Sequence, residues 1–568
     1  MKRSASFDSV VGIWEHRVTS TPDAEGLYGR RAGSWYSLTW GQCGRMAEEW
    51  SAGLRALGVG PGDVVAILSS TRPEFLIADM AILRCGAIAT TIYPSAPEED
   101  WTHILSDSGA RLCFVEHREQ AERLAALCEL DTFVLFEGQG RQSRVIGTEK
   151  LTRLGQGHSC KAEDIGSDEV ATILYTSGTT GRPKGVELTH GGWVFEGEAI
   201  EKLGFMGPHD VHFLYLPLAN AFAKVLAIAS IRAGAPTAVD GSLEDLAHNL
   251  RAIRPTIMAA VPRFFEKSWE MLENEGRSGG ALMRRAFDDS VALGVEVARL
   301  RERGERPGAL LSTRYKLAER LVFSRMRERF GGRVRVFISG AAPLSETVAE
   351  RFLAAGMPIM EGYGLTESSA ATFVNRLERF KLGTVGLPLV GVDVRIAEDG
   401  EILLRGSGVM RGYHGLPEAT ARALEDGWLH TGDLGHLDSE GFLTISGRRA
   451  DMLRLLSGKR VAPRRVEDLL EAHPGIVRAV LFGHDRPFCV ALIQAAEEAD
   501  IEPLVEAANR ELAPFEQVRA WALLPERLGV EQGTLTPTRK VKRQVVATRY
   551  SGLIDQLYAS QAITEEAG

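Results

Sequence analysis

The chain has no CxxC pair, no cluster of histidine and cysteine, no long uninterrupted apolar run and no surplus of basic charge. Each absence removes a class of protein. The six cysteines, Cys43, Cys85, Cys113, Cys128, Cys160 and Cys489, are scattered over 568 residues. Neither a disulfide scaffold nor a structural zinc site is indicated, and reduced thiols in a cytoplasmic protein are expected. The opening segment MKRSASFDSVVGIWEHR lacks the apolar core of a signal peptide. The most apolar region, from Phe213 to Val239, is broken by Asn220, Lys224, Arg232 and two prolines. It reads as a buried strand followed by a helix, not as a membrane span. A formal net charge of −9 argues against nucleic-acid binding.

What remains is ordinary globular composition, 44% hydrophobic and 25% charged. The length exceeds what one hydrophobic core supports, so two or more domains are expected. Glycine, at 60 residues, exceeds its usual share of roughly 7%. Short apolar runs such as VVAIL (64–68), LCFV (112–115), ATILY (171–175) and TIMAAV (256–261) alternate with helical patterns. That rhythm predicts α/β architecture with mostly parallel sheets. Residues 268–330 break it with an arginine-rich helical insert. Its charge fits the solvated face of a helical hairpin, and its basic surface would also suit an anionic ligand or the inner membrane surface. After about residue 446 the texture becomes that of a small α+β domain, 447–568, on a hinge at 447–451.

The stretch YTSGTTGRPKGV, Tyr175 to Val186, is too rich in small residues to pack a core. It follows a predicted strand, and Thr189 opens a predicted helix. A strand–glycine loop–helix unit would present backbone N–H groups and a helix N-terminus to an anion. The stretch fails the G-x-x-x-x-G-K-[ST] pattern, because Lys184 lies between Pro183 and Gly185. On spacing alone, phosphate binding and a plain Ser/Thr/Gly loop stay level.

Further stretches follow in order: SGAAPL (339–344), EGYGLTE (361–367), TGDLG (431–435), GRRAD (447–451) and TPTRKVKR (536–543). Together with the loop they resemble the adenylate-forming superfamily of acyl-CoA synthetases, luciferases and peptide-synthetase adenylation domains. YLPLANAFAKV, VPRFFEK, the helical insert and LTPTRKVKR are similar to its long-chain fatty acyl-CoA synthetase branch. The resemblance covers nearly the whole chain. It implies a large N-terminal domain of mostly parallel sheets, residues 1–446, and a small mobile C-terminal lid. It implies activation of a medium- or long-chain fatty acid by ATP and Mg²⁺, through acyl-AMP, to a coenzyme A thioester.

The resemblance also implies roles. Thr176, Ser177, Gly178, Thr179, Thr180, Gly181 and Lys184 would cradle the β- and γ-phosphates, with Thr179 and Glu367 at the metal. Thr366 would contact the α-phosphate. Tyr363 would stack on adenine beside Glu361, Gly362 and Gly364, and Gly340, Ala341 and Ala342 would form the facing wall. Asp433 and Arg448 would hold the ribose, and Lys540 would bridge substrate carboxylate and α-phosphate. Ser457, Gly458 and Lys459 would line the coenzyme A path.

Two positions depart from the family pattern. Asn220 stands where histidine is usual near the acyl carboxylate, and Ala450 where Asp or Lys is usual at the hinge. They keep two other readings open: an acyl-AMP ligase loading an acyl carrier protein, and a degenerate ligase fold without catalysis.

Overall fold

The computed structural model describes residues 6–139, 144–158, 161–176, 182–473, 475–496, 499–536 and 539–566. Val64–Leu68 is buried at every residue, as a strand covered on both faces must be. Its side chains alternate between two cores: Val65 and Ile67 face one, Val64, Ala66 and Leu68 the other. Ile88–Ile92 and Leu112–Val115 flank it in parallel. Helix Pro73–Arg84 makes the crossover, opened by a proline where no N–H is needed. Thr132–Leu135 and Val145–Gly147 continue this sheet on one side, and Val170–Thr176 on the other, all in parallel.

A second sheet carries His212–Leu214, Thr237–Val239, Ile257–Ala260, Val336–Ser339 and Ile359–Tyr363, also parallel. The larger core draws side chains from both sheets. An antiparallel sheet follows, made of Asp393–Ile396, Glu401–Arg405, Trp428–Leu437 and Leu443–Arg448. Its last ladder pairs Asp433 with Arg448. Gly447, one residue earlier, sits at φ +150°, a conformation that glycine adopts most easily. Beyond a tight turn at Arg449–Asp451, the strands Ile476–Phe482, Cys489–Ala495 and Val518–Leu523 form a separate small sheet with its own apolar clusters. Among the described residues no helix is long and apolar enough to cross a membrane.

The structure corrects two expectations. Thr189 does cap a helix, His190–Lys202, through its hydroxyl, which accepts from Gly192 N–H. A strand, Lys184–Thr189, intervenes between the glycine-rich stretch and that helix. It pairs antiparallel with Val170–Thr176, so the element that follows the stretch is a neighbouring strand and not a helix. Val186 and Leu188, buried at period two, carry the strand signal in the sequence. The helical insert also begins earlier than residue 268, at Pro262, whose ring favours the first helical position.

Candidate active site

The strand ends and the antiparallel sheet bring the separate motifs to one place. Tyr363 ends the strand Ile359–Tyr363, and its hydroxyl donates to Asp433 Oδ2 at 2.7 Å. The other oxygen of Asp433 takes Arg448 Nε at 2.8 Å. Strand pairing puts Arg448 directly across from Asp433, so the ion pair follows from backbone register. Burial, then the charge of Asp433, pushes the Tyr363 phenol far up from its ordinary range. Burial opposes the Arg448 charge, but Asp433, Glu367, Tyr363 and Asp451 hold its guanidinium above its ordinary value.

The facing wall is Gly340–Ala342, entered from the buried strand Val336–Ser339. Ala341 adopts φ +70°, which an alanine rarely does. The Phe222 ring lies 3.3 Å from where a Cβ on Gly340 would stand. Glu361 braces the wall, accepting from Leu344 N–H at 3.1 Å. Burial raises its carboxyl to about 7, against the pull of that N–H. Gly364 is forced by sterics, since a Cβ there would meet the Ala370 carbonyl oxygen at 1.6 Å.

Lys184 opens its strand opposite Thr176. Its ammonium lies 5.1 Å from the centre of the Tyr413 ring. The Tyr413 hydroxyl donates to Glu367 Oε1 at 2.9 Å. Tyr413 therefore joins two predicted site residues, and motif reading missed it; its signal was an aromatic between glycines, in GYHG. Thr366 opens the short turn Thr366–Ser368 that carries Glu367. The base of the glycine-rich stretch is pinned by Tyr175, whose hydroxyl donates to Asp107 at 2.7 Å. Ser177, Gly178, Thr179, Thr180 and Gly181 lie outside the described residues.

Lys540 arrives from the C-terminal part. Its N–H donates to the buried Thr536 hydroxyl at 3.0 Å, and its carbonyl accepts from Thr536 N–H at 2.8 Å. Arg539 turns the chain at φ +62°. The nearby cation Arg543 is committed elsewhere, in an ion pair with the buried Glu467 at 2.5 Å. Lys540 stays exposed at its surface, yet the crowding around it lowers its pKa, by burial first and then by Arg448. Asp433, Asp451 and Glu367 oppose that shift.

Asn220 has a structural task. Its side-chain oxygen accepts from Ala223 N–H at 2.9 Å and caps the helix Ala221–Ala233. Asparagine is among the best residues for that position. Tyr93, a residue the motifs did not flag, is hydrogen-bonded to Asn220, which opposes the upward shift that burial gives its phenol, to about 12. Ala450 lies exposed in the turn Arg449–Asp451. Ser457, Gly458 and Lys459 form the exposed tip of a small hairpin, with Gly458 at φ +78° and Lys459 over the Phe515 ring at 5.6 Å. No hydrogen bond or ion pair ties the described atoms of these three to the Tyr363–Asp433–Glu367 cluster.

Residues 14–414 match the AMP-binding enzyme family, and residues 450–562 match the AMP-binding enzyme C-terminal domain. The long-chain-fatty-acid–CoA ligase FadD15 of Mycobacterium tuberculosis is 34% identical over 564 residues, covering 93% of each chain. Long chain acyl-CoA synthetase 2 of Arabidopsis thaliana is 27% identical, covering 97% of this chain and 92% of its own. Among solved structures, the o-succinylbenzoate coenzyme A synthetase of Bacillus subtilis, in complex with ATP and magnesium, superposes with a TM-score of 0.72 at 22% identity, covering 94% of this chain and 98% of its own. At that identity the likeness shows the fold.

Proposed function

This chain belongs to the AMP-binding enzyme family, and on that premise we propose that it activates a medium- or long-chain fatty acid to its coenzyme A thioester. A carboxylate oxygen attacks the α-phosphorus of ATP, the bond to the β-phosphate oxygen breaks, and pyrophosphate leaves. The coenzyme A thiol, losing its proton, then attacks the acyl carbonyl and AMP leaves. The acyl class rests on the names of relatives that match nearly the full chain. The observation that carries the site is the convergence of Tyr363, Asp433 and Arg448, with Lys540 in electrostatic reach.

In this reading Tyr363 stacks on adenine and shares Asp433 with the ribose hydroxyls. Lys184 and the stretch before it hold pyrophosphate. Lys540 lies between two anions that repel each other, where an oriented cation lowers the barrier. Glu367 is a hard oxygen ligand beside a triphosphate site, which fits magnesium, an ion that takes one or two carboxylates plus substrate phosphates. When bound, the ion would neutralise charge on the phosphates. The C-terminal part from about residue 447 acts as a lid that turns at 447–451, exchanging Lys540 for the hairpin of Ser457, Gly458 and Lys459. Asn220 keeps the polar contact that histidine usually provides.

The test is to incubate protein and Mg-ATP with a panel of fatty acids, with and without coenzyme A, following AMP, acyl-AMP and acyl-CoA. AMP and acyl-CoA formed together support the proposal. Acyl-AMP that never passes to coenzyme A would move the reading to a ligase serving a carrier protein. Absence of adenylation with every acid would leave a non-catalytic ligase fold.

A further inference from the structure

The helical insert ends in a segment that lies against the rest of the molecule by one side only. It runs as Ala309–Ala318, a wider π-helical turn at Glu319–Phe323, and Ser324–Glu328. Its inner side is fixed. Ala318, Phe323 and Met326 are buried, and the Tyr315 hydroxyl donates to the Ala354 carbonyl at 3.0 Å. Its outer side has two separate features.

First, the outer side carries leucines in water. Leu310, Leu317 and Leu321 are 76%, 60% and 54% exposed. Spaced seven and four residues apart, they share one helical face. Second, the cations among them have no counter-ions. Arg314, Arg320 and Arg325 are exposed, and none makes an ion pair with a described residue within 4 Å. Other arginines of the insert are paired, Arg327 with Glu319, Arg277 with Glu273 and Asp288, and Arg329 with Glu275, although Arg284, Arg301 and Arg306 make no ion pair with a described residue. On this segment the exposed leucines and the unpaired arginines interleave along one helix.

We infer that the outer face of residues 310–325 docks on an anionic lipid bilayer, with the leucines entering the headgroup boundary and the three arginines meeting lipid phosphates. Helices that lie in a membrane interface combine these same two features. The chain as a whole carries −9, so an anionic surface would repel it except through such a local basic face. An acidic protein would satisfy the arginines. The choice of a bilayer rests on the fatty-acid reading above, because a long-chain acid partitions into membrane.

Vesicle co-sedimentation tests it with the full chain, without ATP or fatty acid, so the result stands apart from the activity assay. Binding is expected to vesicles of phosphatidylcholine with phosphatidylglycerol and not to phosphatidylcholine alone, and to be lost at high salt. Each of Arg314→Gln, Arg320→Gln and Arg325→Gln should lower partitioning about fivefold. Leu310→Ser combined with Leu317→Ser should abolish it while leaving turnover of a short, water-soluble acid unchanged. Equal binding to neutral vesicles, no binding at all, or binding that these variants do not alter would overturn the inference. A concentration-dependent dimer dispersed by Leu317→Glu would overturn it too, assigning the face to a second copy. Vesicle binding by a protein that activates no fatty acid would uphold the surface and reject the proposed reaction.

Discussion

At the scale of single residues, the site separates groups that carry charge from groups that hold shape. Lys540 belongs to the first kind. Replacing it with alanine should cripple acyl-AMP formation and spare the transfer of supplied acyl-AMP to coenzyme A; rapid-quench measurement of each half separately decides this. Equal loss in both halves would reject an exchange between Lys540 and the hairpin. Glu361 belongs to the second kind. Burial raises its carboxyl from 4.5 to about 7, so the folded protein holds a proton that the unfolded chain releases. The neutral form is therefore favoured by folding, and its contribution is complete below about pH 4.5. It is lost as pH rises to about 7, and the loss reaches about 3 kcal/mol at most. Glu361→Gln stays neutral and keeps the acceptor for Leu344 N–H. Its Tm relative to wild type should rise between pH 5 and pH 8, and parallel Tm curves would refute the assignment.

At the scale of elements, the helix Ala221–Ala233 is capped by a residue that is also proposed to contact the substrate. Asn220→Ala removes its cap and should lower stability by about 1 kcal/mol, read by chemical denaturation. Asn220→Asp keeps a good cap but places a negative charge near the proposed position of the acyl carboxylate; unfolding should be unchanged while KM for the fatty acid rises. Unchanged stability in the alanine variant would show that the cap contributes nothing. The departure from histidine was visible in the sequence, but its cause was not, because capping depends on where the helix starts. Most strands were legible, since runs such as VVAIL are apolar at every position and can only be buried. The strand Lys184–Thr189 was hidden behind glycine and proline, and its alternation of Val186 and Leu188 spans too few residues to stand out. Tyr413 was hidden for a different reason: its importance arises from Lys184 and Glu367, which are distant in sequence and meet only in the fold. Lys540 was singled out by motif register alone, and the structure shows its neighbour Arg543 paired with Glu467.

At the scale of the molecule, the proposed lid depends on Gly447. A Cβ there has room, with its nearest atom 3.7 Å away, so only the φ of +150° resists substitution. Gly447→Ala should add strain of about 1–2 kcal/mol to this orientation. Steady-state acyl-CoA turnover should change several-fold, while single-turnover adenylation stays within a factor of about two. Turnover and adenylation falling together would mean that the residue serves the chemistry and not the exchange. The pairing of Asp433 with Arg448 ends one residue past Gly447. The proposed fulcrum thus coincides with the proposed grip on the sugar. A lever turned there displaces the nucleotide least and its far end most. In the proposed exchange, a turn centred there would carry Lys540 away from Asp433 and Arg448 while the bound adenylate stays almost still, so that the intermediate need not be released for the next reactant to reach it.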